Sequence, residues 1–231
     1  MAQASGVTIK VLSSNSMQSS IAELAPRFER ATGHKLDITF DTGVGFNERI
    51  ARGERGDVGI ITGPIIEKLA KEGVTAGPRA LARSGAGIGL RAGAPKPDIS
   101  TVEAFKRALL AAKSVTFTRQ GASGIYFAGL IEKLGIAAEI RAKAVTPDGG
   151  LVGEVVMAGK AEMAVQQVPE LKAVKGIEVV GPFPPEVQVY TQIAATTFAS
   201  TAHAAAAQAF VDFLASPEAQ AVYREKGMET A

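Results

Sequence analysis

Cysteine and tryptophan are absent from this 231-residue sequence, and histidine occurs only as His34 and His203. Without cysteine there is no thiolate nucleophile, no cysteine-ligated zinc and no disulfide, which is compatible with an oxidising compartment. The two histidines stand in unrelated contexts, one after Gly33 at a helix end and one opening an alanine-rich helix. Neither setting suggests a catalytic pair. No apolar run reaches the roughly 18 residues a membrane span needs. Aromatic residues make up 6% of the chain, too few for a base-stacking platform. With 25 basic against 23 acidic residues the formal charge is +2, and no basic run occurs. Nucleic acid and anionic membrane are therefore not indicated as partners.

What is present is an apolar fraction of 46%, enough to bury one large α/β domain or two lobes. The opening "MAQASG" reads as a start residue placed before Ala2-Gln3-Ala4, a small-x-small sequence like a signal-peptidase site. A periplasmic or otherwise extracytoplasmic home, with a signal peptide removed, follows as an expectation.

Short strands alternate with helices almost throughout. Strands are expected at Val7–Leu12, Lys35–Phe40, Val58–Ile61, Ser114–Thr118, Glu139–Val145, Met163–Val168 and Ile177–Gly181. Helices are expected at Gln18–Thr32, Phe46–Arg52, Ile65–Glu72 after Pro64, Thr101–Ala112, Ile125–Leu134, Leu151–Ala158, Ala202–Ala215 and Pro217–Lys226. Such alternation gives parallel sheets with crossover helices. Two further β-runs, Ser84–Leu90 and Gln188–Thr197, join segments of different character. If both cross between lobes, residues 1–83 and 193–231 form one lobe and 84–192 the other, with a ligand cleft between hinged lobes.

In an open α/β sheet, ligands sit beyond the carboxyl ends of strands, where helix N-termini offer free N–H groups. Four stretches place small polar or glycine residues at such junctions: "SSNS" (13–16), "DTGVG" (41–45), "TRQGASGIY" (118–126) and "TPDGG" (146–150). Each alone reads more readily as a helix cap. Together they describe a donor-rich pocket for an anion, with glycines letting the backbone approach it.

At these residues the chain resembles the type 2 periplasmic solute-binding proteins, in the branch of the molybdate-binding proteins of ABC transporters. The resemblance runs over essentially the whole length. It is carried by "VLSSNSMQSSIAELAPRFERATG", "FDTGVGFNERIARGERGDVGI", "GASGIYFAGLIEKLGI" and the closing "AFVDFLASPEAQAVYREKG". It implies an α/β fold of two Rossmann-like lobes joined by two crossing strands, a monomer, a small anionic ligand, an ABC permease as membrane partner and no cofactor or metal.

Carried over by position, the oxyanion ligands of the resembled branch fall on Ser16, Gly43, Ser123, Gly149 and Gln167. Where molybdate binders usually present a serine hydroxyl this chain has Gly43, beside Thr42. Where they often present a tyrosine hydroxyl it has Gln167, after Gln166. Fewer hydroxyls and two amides suit a larger, planar ligand. Arg83 and Arg119 add guanidinium forks that match carboxylates bidentately, although each reads equally well as a surface arginine. Asp41 and Glu154 are surface residues on this reading, or neutralise an arginine when no ligand is bound. The candidate site thus comprises Ser14, Asn15, Ser16, Thr42, Gly43, Val44, Arg83, Ser84, Arg119, Ser123, Gly124, Tyr126, Gly149, Gly150, Gln166 and Gln167.

The first expectation is a receptor for an organic di- or tricarboxylate. Aconitate isomerase is similar to this branch, so a cofactor-independent isomerase of an unsaturated tricarboxylate is an alternative. Its proton carrier would be Asp41, Tyr126 or a lysine, none of them an obvious choice. A molybdate or tungstate binder is a further alternative.

Overall fold

The computed structural model describes residues 6–230. The N-terminal processing signal read from the sequence lies almost wholly outside them. In chain order the elements are β1 (Thr8–Ser14), α1 (Gln18–Thr32), β2 (Lys35–Asp41), α2 (Gly43–Ala51), β3 (Val58–Thr62), α3 (Gly63–Lys71) and β4 (Arg79–Arg91). There follow α4 (Val102–Ala111), β5 (Val115–Thr116), α5 (Ala122–Lys133), α6 (Ala137–Ala142), β6 (Ala144–Val145), α7 (Val152–Met157) and β7 (Met163–Gln167). The chain closes with α8 (Val168–Lys172), β8 (Ile177–Pro182), β9 (Tyr190–Thr197), α9 (Ala204–Leu214), α10 (Pro217–Glu225) and β10 (Glu229–Thr230).

The chain divides into two compact units, Met1–Arg83 with Gln192–Ala231, and Ser84–Thr191. The strands β4 and β9 carry it out of the first unit and back.

In the first unit β1 is the central parallel strand. It pairs with β2 on one side, Thr8 opposite Lys35 through Ser14 opposite Asp41, and with β3 on the other. Returning β9 runs antiparallel to β3, with Val58 opposite Thr197. Period-two alternation sends Ile9 and Val11 to one face and Leu12 to the other. The first face packs on α1, α9 and α10 through Ile21, Leu24, Phe28, Phe210 and Tyr223. The Phe28 and Phe210 rings stand 4.9 Å apart, and Tyr223 donates its hydroxyl to the Leu214 carbonyl at 2.8 Å, so the buried phenol is satisfied. The second face packs on α2 and α3 through Phe46, Ile50, Ile66 and Leu69.

The second unit repeats the plan. Its central parallel strand is β5, with β6 on one side and β7 on the other. β7 runs antiparallel to β4, Ala86 opposite Gln167, and β8 lies antiparallel on β4 as well. One face buries Phe105, Leu109, Phe127 and Ile131 against Ile88 and Val165, and the other buries Val152, Val156 and Leu171 against Ala164. Coverage of both faces explains the uninterrupted apolar reading of "VGII" and "MAV".

Local departures from expectation have local causes. Glu139–Val145 is not a strand: Ala137–Ala142 is helical, and only Ala144–Val145 pairs. Buried Ile136, Ala137 and Ile140 recur at helical spacing, which outweighs the alternation suggested by the charged residues between them. Ser13 and Ser14 belong to β1, and α2 and α5 begin several residues earlier than their apolar patterns suggest. The short α8 directly after β7 and the closing β10 lie outside the expected elements.

Candidate functional site

In each unit the central strand comes first in the parallel set, and its two parallel neighbours, both later in the chain, lie on opposite sides of it, so the strand order reverses there. That reversal is the switch point at which α/β sheets hold ligands, beyond the carboxyl ends of the strands. In the first unit it follows β1 and in the second β5, so Ser16 and Ser123 occupy equivalent places in their own units.

In the first unit, β1 ends in Ser13 and Ser14, and Asn15–Met17 forms a short 3₁₀ turn before α1. The Ser14 hydroxyl accepts from the Ser16 N–H at 3.3 Å and shares a hydrogen bond with the Ser16 hydroxyl at 2.8 Å. Ser16 is buried, and Asn15 is half-buried. Behind it, α1 begins with no side-chain cap, and the hydroxyls of Ser19 and Ser20 are buried without a partner. The cluster is thus more than a cap: it holds hydroxyls beyond those its own backbone uses.

After β2, the Thr42 hydroxyl accepts from the Gly45 N–H at 3.0 Å, which turns "DTGVG" into an N-cap and the first turn of α2. Asp41 accepts from the Thr42 N–H at 2.8 Å and pairs with Arg49 at 2.8 Å. A Cβ at Gly45 would fall 2.0 Å from Asp41 Oδ1, so any larger residue would displace the Asp41 carboxylate. Arg49 also reaches Glu54 at 3.0 Å; Lys10 first, and then Arg49, hold the Glu54 carboxyl below its ordinary value. A Cβ at Gly43 would meet only Ile65, 3.4 Å away, so the start of α2 borders that of α3. Val44 is half-buried in the same turn.

A third junction of this unit escaped sequence reading. Thr62 caps α3 without a side-chain hydrogen bond, and the space a Cβ would take at buried Gly63 is open. The signal was available in "IITGP", an apolar strand running into threonine, glycine and a helix-opening proline.

In the second unit, α5 follows Gly121, an N-cap position that offers no side-chain hydrogen bond, and Ser123 and Gly124 are buried in its first turn. The Thr118 carbonyl approaches so closely that a Cβ on Gly124 would lie 1.8 Å from it. Thr118 itself is buried with an unpartnered hydroxyl. The loop after β5 is zipped to the loop after β6, with Arg119 N–H donating to the Pro147 carbonyl at 2.8 Å and Gln120 N–H to that of Asp148 at 3.0 Å. Across this zipper the Arg119 fork grips Asp148 Oδ1, Nε at 2.8 Å and a terminal nitrogen at 2.6 Å, both residues being exposed. The half-buried Gly149 and the left-handed Gly150 (φ 85°) complete the second loop.

Gln166 fixes that loop from β7: its Nε2 donates to the Gly150 carbonyl at 2.7 Å, and its Oε1 accepts from Val152 N–H at 2.9 Å. Gln167 uses both ends of its amide as well, accepting from the Ser84 hydroxyl and donating to Thr191 at 2.9 Å. Tyr126 donates to the Val187 carbonyl at 2.7 Å, and burial raises its pKa. Arg83 lies in the first unit, where it is exposed and pairs with Glu229 of β10 at 2.5 Å. The second unit therefore gathers Arg119, Ser123, Gly124, Gly149, Gly150 and Gln166, and the first gathers Ser14, Asn15, Ser16, Thr42, Gly43 and Val44.

Both histidines sit at the opposite, amino-terminal edge of the first unit's strands. There they line one cavity of about 430 Å³ with Val7 and Ala202 to Ala206. His34 Nδ1 accepts from Val7 N–H at 3.2 Å. Among the described residues no group of three or more His, Asp or Glu is placed to hold a metal ion, and no helix is long and apolar enough to cross a membrane.

Comparison with known proteins agrees with this architecture. Residues 9–229 match the family described as bacterial extracellular solute-binding proteins. An aconitate isomerase of a Pseudomonas species is 36% identical over 230 residues, covering 96% of this chain and 87% of that protein. The periplasmic molybdate-binding protein of Azotobacter vinelandii superposes with a TM-score of 0.78 at 19% identity, over 95% of this chain and 98% of that one. The sulfate-binding protein of Mycobacterium tuberculosis superposes with a TM-score of 0.74 at 16% identity, over 96% and 86%. The fold is that of the periplasmic binding proteins. On the family match and the full-length relative together, this chain belongs to the bacterial extracellular solute-binding proteins.

Proposed function

We propose that this chain is an extracytoplasmic receptor for a small organic anion with two or three carboxylates, which it passes to an ABC permease. Ser16 with the start of α2, and Ser123 with Arg119 and the Gly149 loop, are its ligand-binding groups. The observation that carries the reading is the Arg119 fork. It already grips a carboxylate, Asp148, beside the uncapped start of α5 and beside buried Ser123. A ligand carboxylate replaces Asp148 on that fork without any change of chemistry. Uncapped helix starts at α1, α3 and α5 supply further N–H donors, and Gly43 leaves room where a larger side chain would close the site. A compact oxyanion such as molybdate suits a closed cage of neutral hydroxyl and amide donors and gains little from an exposed guanidinium.

The full-length relative favours a second reading, in which the bound tricarboxylate is also isomerised. The geometry supports binding better than conversion. Asp41 is engaged by Thr42 and Arg49, the Tyr126 hydroxyl is engaged by Val187, and both histidines line the other strand edge. A thermal-shift panel of cis- and trans-aconitate, citrate, succinate, molybdate and sulfate tests the first reading, with stabilisation by the carboxylates expected. Proton NMR of each aconitate isomer incubated with the protein separates the two readings. Unchanged spectra are expected of a receptor; interconversion establishes the isomerase.

A further inference from the structure

Gln167 was a ligand candidate by position, but its surroundings describe another task. Ser84 and Thr191 are the first and last residues of the second unit, one on β4 and one on β9. The Gln167 amide reaches both: Oε1 accepts from the Ser84 hydroxyl, and Nε2 donates to Thr191 Oγ1 at 2.9 Å. Each hydroxyl can donate or accept, so both meet the amide with matched donors and acceptors. Ser84 and Gln167 are buried, so breaking either bond strands a polar group away from water.

The backbone around this amide is held as well. Gln167 closes β7 opposite Ala86 of β4, and its N–H donates to a Glu170 carboxyl oxygen at 3.2 Å. On the return path Gln188 donates its Nε2 to the Ala86 carbonyl at 2.9 Å, packed so closely that a Cβ on Gly85 would stand 2.5 Å from it. The entering segment 84–86 and the leaving segment 188–191 are thus joined by two glutamine side chains.

We infer that Gln167 is a positioning residue: a neutral tie that fixes the strand by which the chain enters the second unit to the strand by which it leaves. Its amide serves the protein, not the ligand. Neither ion pairs nor titrating groups take part in the two hydroxyl bonds, so the tie holds across salt concentration. It sits directly behind Gln166, which sets the Gly149 loop, so loosening it loosens the loop's support.

The test is backbone hydrogen exchange by mass spectrometry on the full chain without ligand, so its outcome is independent of the carboxylate reading. Thr191→Val removes one hydroxyl while keeping the shape, Ser84→Ala removes the other, and Gln167→Leu removes the tie. Thr191→Ser is the conservative rescue. Each of the first three is expected to speed exchange in both segments, 84–91 and 188–194, by roughly fivefold or more. The Ser84→Ala/Thr191→Val double variant should match Gln167→Leu, and Thr191→Ser should behave as wild type at both low and high salt. Faster exchange confined to the segment carrying the substitution would overturn the inference, as would unchanged exchange in Gln167→Leu. Should Gln167→Leu fail to fold, the two hydroxyl variants still decide, because each must loosen the strand it does not belong to.

Discussion

Replacing Glu170 by glutamine should remove a specific segment of the protein's pH dependence. Glu170 is buried beside β7, and burial pushes its carboxyl from an ordinary 4.5 up to about 8, opposed only in part by the hydrogen bond from Gln167 N–H. Between those two values the folded chain keeps a proton that the unfolded chain has lost. The contribution is therefore complete below pH 4.5, declines as pH rises through the window, and levels off above about 8. At about 1.4 kcal/mol per unit, the full decline is on the order of 5 kcal/mol. Glu170→Gln stays neutral at every pH and keeps an oxygen to accept from Gln167 N–H. Urea unfolding followed by far-ultraviolet circular dichroism, needed because there is no tryptophan, gives both stabilities from pH 5 to 9. The variant should lie within about 1 kcal/mol of wild type at pH 5. Its advantage should then grow with pH and level off at the alkaline end. A difference curve that is flat across the range would refute the assignment.

Two further outcomes are expected. Ser16→Ala and Ser123→Ala should each lower affinity for the bound anion by roughly ten- to a hundredfold, the worth of a hydrogen bond to a charged group, in isothermal titration. The melting temperature of the ligand-free protein should stay nearly unchanged in both. Gly124→Ala, by contrast, sets a Cβ 1.8 Å from the Thr118 carbonyl, so the start of α5 must shift. Overpacking of this kind costs about 1–3 kcal/mol, and calorimetry should find a melting temperature lower by several degrees.

Much of the fold could be read from the sequence because its period is set by burial. "VGII" and "MAV" declare strands covered on both faces, and Ile21, Leu24 and Phe28 declare the buried stripe of α1. The starts of α2 and α5 were obscured because glycines there read as loop, whereas Thr42 and the close approach of Thr118 hold them in a first helical turn. The polar junctions were legible as positions, since small hydroxyl and glycine residues follow strands. What they bond to was not. Arg119 meets Asp148 across 29 residues and Ser84 meets Gln167 across 83, separations at which no local pattern reports a partner. The Thr62–Gly63 junction is hidden in the sequence because the proline after it reads simply as a helix start.

The most direct test is a calorimetric titration of the wild-type protein with tricarballylate, set beside one with molybdate. Tricarballylate carries three carboxylates and no double bond, so its binding is measured free of any conversion. Saturable one-to-one binding of tricarballylate, weakened in Arg119→Gln and undisturbed by excess molybdate, is the predicted result. Tight binding of molybdate with no heat from tricarballylate or either aconitate isomer would contradict it.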